Sequence, residues 1–489
     1  MEDLGQADGR LVAAAAPAHS VAPSWVLFGL AVALLACLAA WPFAIDDALI
    51  SVRYARHLAS CSGYVWNLGG PSTDGVTPLP WAFLLVPLAR SSALGVLLRA
   101  KVLGVASWAL AATCWGRAVG RLERPVWAKI AAFVVLALSL PVAAHSVSGM
   151  ETALAMALAT VATLSWDRPW KAALLAGLAA TLRPELAPWS VVLGVGYALV
   201  ATRGSGGESV RSVARDVVVG GALAIAPFVG CALLRVAVFG SPAPLSLLAK
   251  PSDVSHGLAY AGAAFVFALA PVLVVAPVAL FRERGHACVI ALAGATHCLA
   301  IVAVGGDWMP YARLMAPIVP SLLYAFVLLT GYGRSGAHVA RVALVLAFGA
   351  WTLPHHLGAL REAGENRRRM IEAAAPLFDG VRVVAALDIG WVSAVTEGTI
   401  VDLAGVTDPE VASLGGGHTS KRVDPSFLLA RKVDCVVFYT DTPASDPDPH
   451  FPRLVEARLA AAPLFQEHYV ETARLSLGQG AGYVIYSKR

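Results

Sequence analysis

Long apolar runs, separated by short basic clusters, constrain this chain more than any other feature. A membrane-spanning helix needs about 17 to 25 mainly apolar residues. With 57% hydrophobic and only 14% charged residues over 489 positions, the chain is too apolar for a soluble globule. The sequence therefore predicts a polytopic α-helical membrane protein with eleven spans, near 22–43, 94–116, 126–144, 149–165, 171–183, 185–202, 216–238, 257–281, 286–304, 311–332 and 338–355.

Basic residues set the orientation of these spans. Cytoplasmic loops collect Lys and Arg. If residues 1–21 form a cytoplasmic tail, every inside loop holds at least two of them, beginning with the cluster from Arg117 to Lys129. The net charge of +5 is spread over these short loops, a pattern that does not indicate nucleic-acid binding. We therefore expect a multi-pass protein of the plasma (inner) membrane, without nucleic acid among its partners.

The first outer loop, 44–93, contains a second apolar stretch at 78–90. A span there would reverse every later loop and place the basic cluster at 117–129 outside, against the rule for cytoplasmic loops. We therefore interpret 78–90 as a juxtamembrane helix on the outer surface. This choice keeps all the unusual polar motifs on one face.

The composition changes at the end of the membrane domain, 22–356. Long apolar runs give way to short strand-like runs, such as Val381–Leu387 and Cys435–Tyr439, between Gly, Asp and Pro turns. Residues 357–489 are predicted to form a small α/β domain. An odd number of spans places this domain outside the cytoplasm.

Two adjacent carboxylates, Asp46 and Asp47, follow directly on the first apolar run. Acids at the boundary of membrane and water are costly in contact with lipid, so they usually face a protein cavity. One interpretation is a general base that takes a proton from an acceptor hydroxyl, while the second acid orients it or binds a cation. The other is an N-terminal cap for a helix over 48–60. We favour the base, and Asp46 over Asp47 for that role.

The rest of the first outer loop holds residue types that suit a sugar. Asn67, Asp74 and Thr77 lie in a stretch rich in Gly, Pro and aromatic residues. Such mixtures bind sugars, but they also form ordinary belts at the membrane interface. Arg53 follows Asp47 on the same predicted helix and could meet an anionic lipid headgroup, as any interfacial Arg could.

Two acids and an arginine lie near the outer ends of later helices. Glu151 follows Ser148-Gly149, and Glu185 follows Arg183-Pro184. Acids at helix starts complement the helix dipole, which is an adequate structural account. Arg183 and Glu185 could also pair with each other, or all three side chains could contact substrate.

Lys250, Asp307 and Arg313 come from separate outer segments. Lys and Arg that converge on an outer cavity suit a phosphate group, and Asp307 follows two glycines, where the backbone is free to bend. The alternative is interfacial snorkelling by Lys250 and a simple ion pair between Asp307 and Arg313.

Several familiar chemistries are not supported by the sequence. There is no Walker or GxGxxG motif, no HExxH and no zinc-type cysteine spacing. Asp402 and Asp408 in the C-terminal domain are interpreted as turn residues. The paired acids could bind Mg²⁺ or Mn²⁺, but no dedicated cage is visible, so no metal site is predicted and no cofactor is required.

The order of these motifs resembles that of a known superfamily. Residues 46–55, including Tyr54, with 63–67 and 75–81, resemble the first outer loop of integral-membrane GT-C glycosyltransferases. The most similar group is the mycobacterial terminal arabinofuranosyltransferases and their relatives. Later segments resemble the landmarks of that group over nearly the whole chain: Ser148–Leu154, Arg183–Glu185, Pro244–Lys250, Gly306–Met309 with Arg313, and Asp402–Asp408.

The resemblance implies a GT-C fold and a membrane glycosyltransferase of EC class 2.4. Its donor would be a polyprenyl-phosphate sugar, by the same likeness a pentofuranose, and its acceptor an extracytoplasmic glycan, lipid or protein of the cell envelope. In such enzymes an acid of the first outer loop is the base and the sugar carbon inverts, a role that falls to Asp46 or Asp47. The substrate-binding residues would be Arg53, Tyr54, Asn67, Asp74, Thr77, Glu151, Arg183, Glu185, Lys250, Asp307 and Arg313.

This chain departs from the group's pattern at two places. Residues 242–250 read Pro-Ala-Pro-Leu-Ser-Leu-Leu-Ala-Lys where Pro-Asn-Thr is expected before Ala-Lys, and Asp74-Gly75 replaces Glu-Gly. Both departures bear on which sugar is used.

Two other functions are compatible with the same motifs. A transporter or flippase of lipid-linked sugars could use the same outer cavity without bond formation, although no internal repeat of the kind common in transporters is visible. An outer-surface binding protein could use the spans only as anchors, although eleven spans exceed that need.

Overall fold

The computed structural model describes residues 23–204, 210–250, 252–274, 283, 285–332, 335–478 and 480–489. The predicted cytoplasmic tail, 1–21, lies outside these residues, as does part of the predicted span at 257–281. The helices of the apolar part are α1 Pro23–Ala40, α2 Asp46–Ala59, α3 Leu79–Leu85, α4 Ala93–Arg121, α5 Val126–Leu138, α6 Leu140–Ser146, α7 Thr152–Leu164, α8 Pro169–Leu182, α9 Ala187–Gly204, α10 Val210–Phe239, α11 Leu245–Ala249, α12 Val254–Phe267, α13 Pro271–Val274, α14 His286–Ala303, α15 Val319–Leu329 and α16 Ser335–Ala374.

Helices suited to crossing a membrane dominate this part of the chain. Six of the described helices are long and apolar enough, or seven if α5 and α6, bent by 56° at Ser139, count as one span. The prediction of a helical membrane protein is confirmed. Among the described residues the count of eleven is not confirmed, because several predicted runs form short helices: α7 has 13 residues and α8 has 14, or about 20 Å at 1.5 Å per residue.

The stretch at 78–90 forms one of the short helices. Helix α3 continues as a 3₁₀ turn at Val86–Leu88, and ten residues rise only about 15 Å. This length is half of the roughly 30 Å of a bilayer's hydrocarbon core. The stretch is therefore too short to be a full span.

Helix α16 joins the apolar part to the C-terminal domain without a break. It has 40 residues, and the predicted boundary at 356–357 falls inside it. Gly364 lies where this helix crosses the chain after α1, so close that a Cβ there would collide with the backbone carbonyl of Pro42. The crossing brings the end of α16 next to the start of α2.

The C-terminal domain is built on a five-stranded mixed sheet of order β2-β1-β3-β5-β4. Strands β1, β2 and β3 are parallel, while β5 is antiparallel to both β3 and β4. The predicted strand-like runs form β1, β3 and β5, in which consecutive residues are buried, so both faces of these strands are covered. The elements are β1 Val383–Ala386, α17 Ile389–Val395, β2 Thr399–Asp402, α18 Pro409–Ser413, α19 Pro425–Ala430, β3 Cys435–Thr440, α20 Leu454–Ala461, α21 Pro463–His468, β4 Tyr469–Gly478 and β5 Ala481–Lys488.

Candidate active site

Two cavities meet beside the N-terminus of α2. The membrane-side cavity, of about 500 Å³, is lined by α2, α10, α14 and the outer loops between the spans. The domain-side cavity, of about 320 Å³, lies between those loops and the C-terminal domain. The residues that line both cavities are Asp47, Ile50, Lys250, Asp307, Trp308 and Val406. A group at this junction can act on ligands in either cavity.

The two adjacent aspartates have different environments. The Asp46 carboxylate accepts hydrogen bonds from the backbone N–H groups of Gly390 (2.9 Å) and Trp391 (2.8 Å) and from Nη1 of Arg367 (3.0 Å). Burial raises the pKa of Asp46 to about 6, although the Arg367 guanidinium acts to lower it. Asp46 thus connects α2 to α17 and α16, and its oxygens are already engaged.

Asp47, by contrast, lies at the junction with its carboxylate unengaged by any described residue. Its side chain makes no hydrogen bond or ion pair with any described residue, and it lines both cavities. Successive residues of a helix are rotated by about 100°, so Asp47 turns towards the cavities when Asp46 turns towards the C-terminal domain. Asp46 also lines the domain-side cavity, and its role as the base stays a prediction. The geometry favours Asp47, because the oxygens of Asp46 are engaged by Gly390, Trp391 and Arg367.

Lys250 lies at the same junction as Asp47. It follows the short helix α11, where its backbone N–H donates to the Ser246 carbonyl, and its side chain lines both cavities. In the described residues its ammonium group has no ion-pair partner. The junction therefore presents one carboxylate and one ammonium group, neither of which has an ion-pair partner among the described residues.

Asp307 and Arg313 form the next charged pair of the site. Arg313 Nε donates to Asp307 Oδ2 at 2.7 Å, and Arg313 Nη1 lies 3.4 Å from the Met150 sulfur. Burial acts to raise the pKa of Asp307, but Arg313, Arg183 and Lys250 together hold that pKa below its ordinary value. Asp307 is therefore ionised and fixes Arg313 in the cavity wall.

Glu151, Arg183 and Glu185 form a buried triad in the wall of the membrane-side cavity. Helix α8 ends at Leu182 because Pro184 cannot continue it. Arg183 Nη1 then donates to Glu151 Oε1 at 3.0 Å and Nε to Glu185 Oε1 at 2.7 Å. The second oxygen of Glu151, Oε2, is buried without a partner among the described residues. The predicted pairing of Arg183 with Glu185 is present, and Glu151 shares the same guanidinium.

A second buried ion pair holds the loop at the mouth of the membrane-side cavity. Arg235 Nε donates to Asp74 Oδ2 at 2.6 Å, and Arg235 Nη2 donates to the Thr77 carbonyl at 2.6 Å. The Thr77 hydroxyl lies 3.0 Å from that of Ser246. Sequence analysis missed Arg235, although one arginine inside the apolar run 216–238 was a signal, because a charge within a span usually marks a site.

Four predicted substrate-binding residues do not line either cavity: Asp74, which is paired with Arg235, and Arg53, Tyr54 and Asn67. Arg53 is 1% exposed, and its guanidinium donates to the carbonyls of Trp66, Thr396 and Gly398. Asn67 pairs through both amide atoms with the backbone of Ile400, and the Tyr54 hydroxyl accepts from the Gly75 N–H and contacts Thr73. These side chains attach the first outer loop to the C-terminal domain and brace its turn.

The C-terminal domain adds polar groups to the domain-side cavity. Asp388 accepts from the Tyr483 hydroxyl at 2.7 Å and pairs with Arg453 at 2.9 Å. Burial, with Lys250 and Arg453 nearby, lowers the pKa of His418 to about 4, so its ring is neutral. Sequence analysis did not place Asp388, His418 or Arg453 in the site, because they come from separate segments of the C-terminal domain and only the fold brings them to one cavity.

Trp308 stands between the two cavities. Its ring stacks on His256 at 4.5 Å, and 68% of the residue is exposed.

Asp402 lies in a turn of the C-terminal domain, where its carboxylate accepts hydrogen bonds from the N–H groups of Ala404, Gly405 and Thr407. Asp402 thus shapes the turn that carries Val406, as the interpretation of a turn residue expected.

Comparison with known proteins is informative only for the C-terminal part. A family model described as a domain of unknown function (DUF8728) matches residues 360–486. The matched segment begins inside α16 and ends within β5. No curated protein matches the chain. In the described ranges, no three His, Cys, Asp or Glu side chains are grouped so that they could hold a metal ion.

Proposed function

We propose that this chain is a membrane glycosyltransferase that moves a sugar from a polyprenyl-phosphate donor to an acceptor hydroxyl outside the cytoplasm. One observation carries the proposal: Asp47, a carboxylate without a partner among the described residues, lies at the junction of two cavities beside Lys250. Group transfer needs two substrates that meet at a base and at a stabiliser for the leaving group. The ordered resemblance to GT-C enzymes supports the same reading.

The donor occupies the membrane-side cavity in this proposal. A volume of about 500 Å³ suits a phosphorylated sugar. The apolar part of its wall, with Phe228, Ala300 and Ala303 from spans α10 and α14, suits the first isoprene units. Arg313 and Lys250 lie where they can bind the phosphate, and the Glu151, Arg183 and Glu185 triad offers hydrogen-bonding groups to sugar hydroxyls.

The acceptor occupies the domain-side cavity. Its hydroxyl oxygen attacks the anomeric carbon from the face opposite the phosphate, so the configuration inverts. The bond between that carbon and the phosphate oxygen breaks, and polyprenyl phosphate leaves with the bonding electron pair. Asp47 takes the hydroxyl proton, and Lys250 and Arg313 stabilise the charge that grows on the phosphate.

The proposal includes a location and a sugar class. With residues 1–21 in the cytoplasm, the junction and the C-terminal domain lie outside, at the plasma (inner) membrane. A pentofuranose is the sugar that the likeness to arabinofuranosyltransferases suggests. The acceptor belongs to the cell envelope.

The test is donor consumption by the purified protein. It is incubated with a panel of polyprenyl-phosphate sugars and an envelope extract, and release of polyprenyl phosphate is measured. We expect Asp47→Asn to lower the rate by about 10² or more, the scale of a lost general base. Asp167→Asn, at an exposed loop position, is the matched control and keeps the wild-type rate.

Two results would contradict this function. One is full activity of Asp47→Asn. The other is movement of a labelled donor between leaflets by the wild-type protein with no donor consumed, which is the behaviour of a flippase.

A further inference from the structure

A third cavity opens next to the domain-side cavity at the outer ends of α1 and α4. This lateral groove has a volume of about 390 Å³. One wall is apolar and consists of Leu94, Leu97 and Leu98 of α4. The other side carries basic groups, Lys101 of α4 with Arg367 and Arg368 of α16. An apolar wall beside a basic rim suits an amphiphile with an anionic head.

The groove lies where a span leaves the bilayer. Helix α1 ends at Ala40 and α4 begins at Ala93, on either side of the first outer loop. Just inward of the groove, large apolar side chains are exposed, Leu35 and Leu38 on α1 and Val102 on α4. Exposed apolar side chains on a span contact lipid chains, so the groove is open to the outer leaflet.

The charge of the groove favours an anion. Three basic side chains line it against one acid, Glu365. Lys101 donates only to the neutral Trp41 carbonyl, Arg367 is paired with Asp46, and Arg368 is paired at the surface with Glu372. The Lys101 charge is therefore uncompensated by any acid in the described part of the chain, and an interfacial cation attracts anionic lipid headgroups.

The groove is continuous with the site. Ala44, Ile45 and Arg367 line both the lateral groove and the domain-side cavity. Arg367 donates to Asp46, the residue next to Asp47. The donor cavity, in contrast, reaches the spans through α10 and α14, so the two openings to the membrane use different helices.

We infer that the lateral groove binds the anionic headgroup and first acyl carbons of a lipid-anchored acceptor, whose sugar or polyol part then extends into the domain-side cavity. This inference rests on the proposed function and narrows its acceptor to a membrane lipid with a negatively charged head. Soluble glycans and proteins would not need the groove.

Lipid binding to the purified full-length protein tests the site without catalysis. Native mass spectrometry is used to titrate phosphatidylglycerol and, separately, phosphatidylcholine of the same chain length. We expect phosphatidylglycerol to bind more tightly, and Arg368→Gln to weaken it about fivefold, the effect of one interfacial charge. Arg369→Gln is the matched control, since Arg369 is the next residue, is also exposed, does not line the groove, and pairs with Glu365 at the long distance of 3.8 Å.

Two variants that change side-chain size, not charge, test whether the lipid occupies the groove itself. Leu98→Trp fills the groove and should weaken phosphatidylglycerol binding, whereas Val102→Trp, one turn further into the membrane and outside the groove, should not. Equal effects of Arg368→Gln and Arg369→Gln, or equal binding of the two lipids, would mean ordinary annular lipid and would overturn the inference.

The destination of the label tests the acceptor. Membranes that contain the protein receive a donor labelled in its sugar, and lipid, water-soluble and protein fractions are separated. Label in an anionic lipid, lowered by Arg368→Gln, supports the inference, and label only in the other fractions overturns it. Donor consumption without lipid binding removes this inference alone, while lipid binding without consumption of any donor removes the proposed function and leaves the groove as a lipid site without an acceptor role.

Discussion

Asp46 and Gly390 are in direct contact across the boundary between the first outer loop and the C-terminal domain. The Gly390 N–H donates to the Asp46 carboxylate at 2.9 Å. A Cβ at residue 390 would collide with the Asp46 backbone carbonyl, so glycine is required there. The start of α2 is thereby fixed to the start of α17, which determines where Asp47 points.

The first prediction concerns this attachment. Asp46→Ala removes the acceptor of two backbone N–H groups and leaves Arg367 without its acid, a loss of about 3 kcal/mol for a partly buried pair. We expect the amides of Gly390 and Trp391 to exchange with deuterium about 100-fold faster, measured by mass spectrometry on the full-length protein. Asp47→Ala, which removes no described hydrogen bond, should leave these rates within about twofold; equal acceleration in both variants would refute the distinct roles.

The second prediction concerns the buried pair of Asp74 and Arg235. Removing one partner leaves an uncompensated charge, so Asp74→Leu and Arg235→Met should each lower the thermal unfolding midpoint in detergent by about 5 °C or more. The double variant should recover part of this loss, since both charges are gone. The exposed pair Arg215 and Asp216 on the same helix is the control, where Arg215→Met should shift the midpoint by about 1 °C or less. Additive losses in the double variant would contradict a coupled pair.

The membrane character and the C-terminal sheet could be predicted because they depend on local patterns. Length and apolarity reveal spans, and short runs of β-branched and aromatic residues between turn residues reveal strands such as β3. The roles of Arg53 and Asn67 could not be predicted, since their partners in the C-terminal domain lie more than 330 positions away in the chain. The count of eleven spans is not confirmed by the described residues, where the predicted spans at 149–165 and 171–183 form helices of only 13 and 14 residues.

The site was predicted only in part, because the contacts that complete it join distant parts of the chain. Lys250, Asp307 and Arg313 come from outer segments, and the structure brings all three to the membrane-side cavity. The choice between Asp46 and Asp47 depends on a rotation of about 100° around α2. Only the position of α17 fixes that rotation, and no pattern within residues 44–60 encodes it.

The third prediction concerns pH and Glu456 of α20. This side chain is 1% exposed, and burial raises its pKa from 4.5 to about 8, although Arg453 acts to lower it. Because the folded-state pKa lies above the unfolded value, the folded state binds more protons, so this group's contribution to stability is complete below about pH 4.5 and is lost as the pH rises through about 8.

Glu456→Gln keeps the neutral form at every pH. We therefore expect the unfolding midpoint of the wild-type C-terminal domain to fall by about 5 °C more than that of Glu456→Gln between pH 6 and pH 9. Glu467→Gln, also in the C-terminal domain but exposed, should follow the wild-type curve. A parallel fall in wild type and Glu456→Gln would show that Glu456 does not titrate in this range.

The fourth prediction concerns the leaving group and Lys250. A polyprenyl-phosphate sugar carries one negative charge on its phosphodiester, and the departing polyprenyl phosphate gains a second one. A cation beside the phosphate therefore stabilises the transition state more than the bound substrate. We expect Lys250→Met to lower kcat by about 10² to 10³, the scale for loss of one such group, with a smaller change in KM.

Two further variants are controls for Lys250→Met. Lys250→Arg should recover part of the rate because it restores the charge, while Lys488→Met, at an exposed position on β5, should match wild type. A loss confined to KM would assign Lys250 to ground-state binding and would contradict this role in the departure of the phosphate.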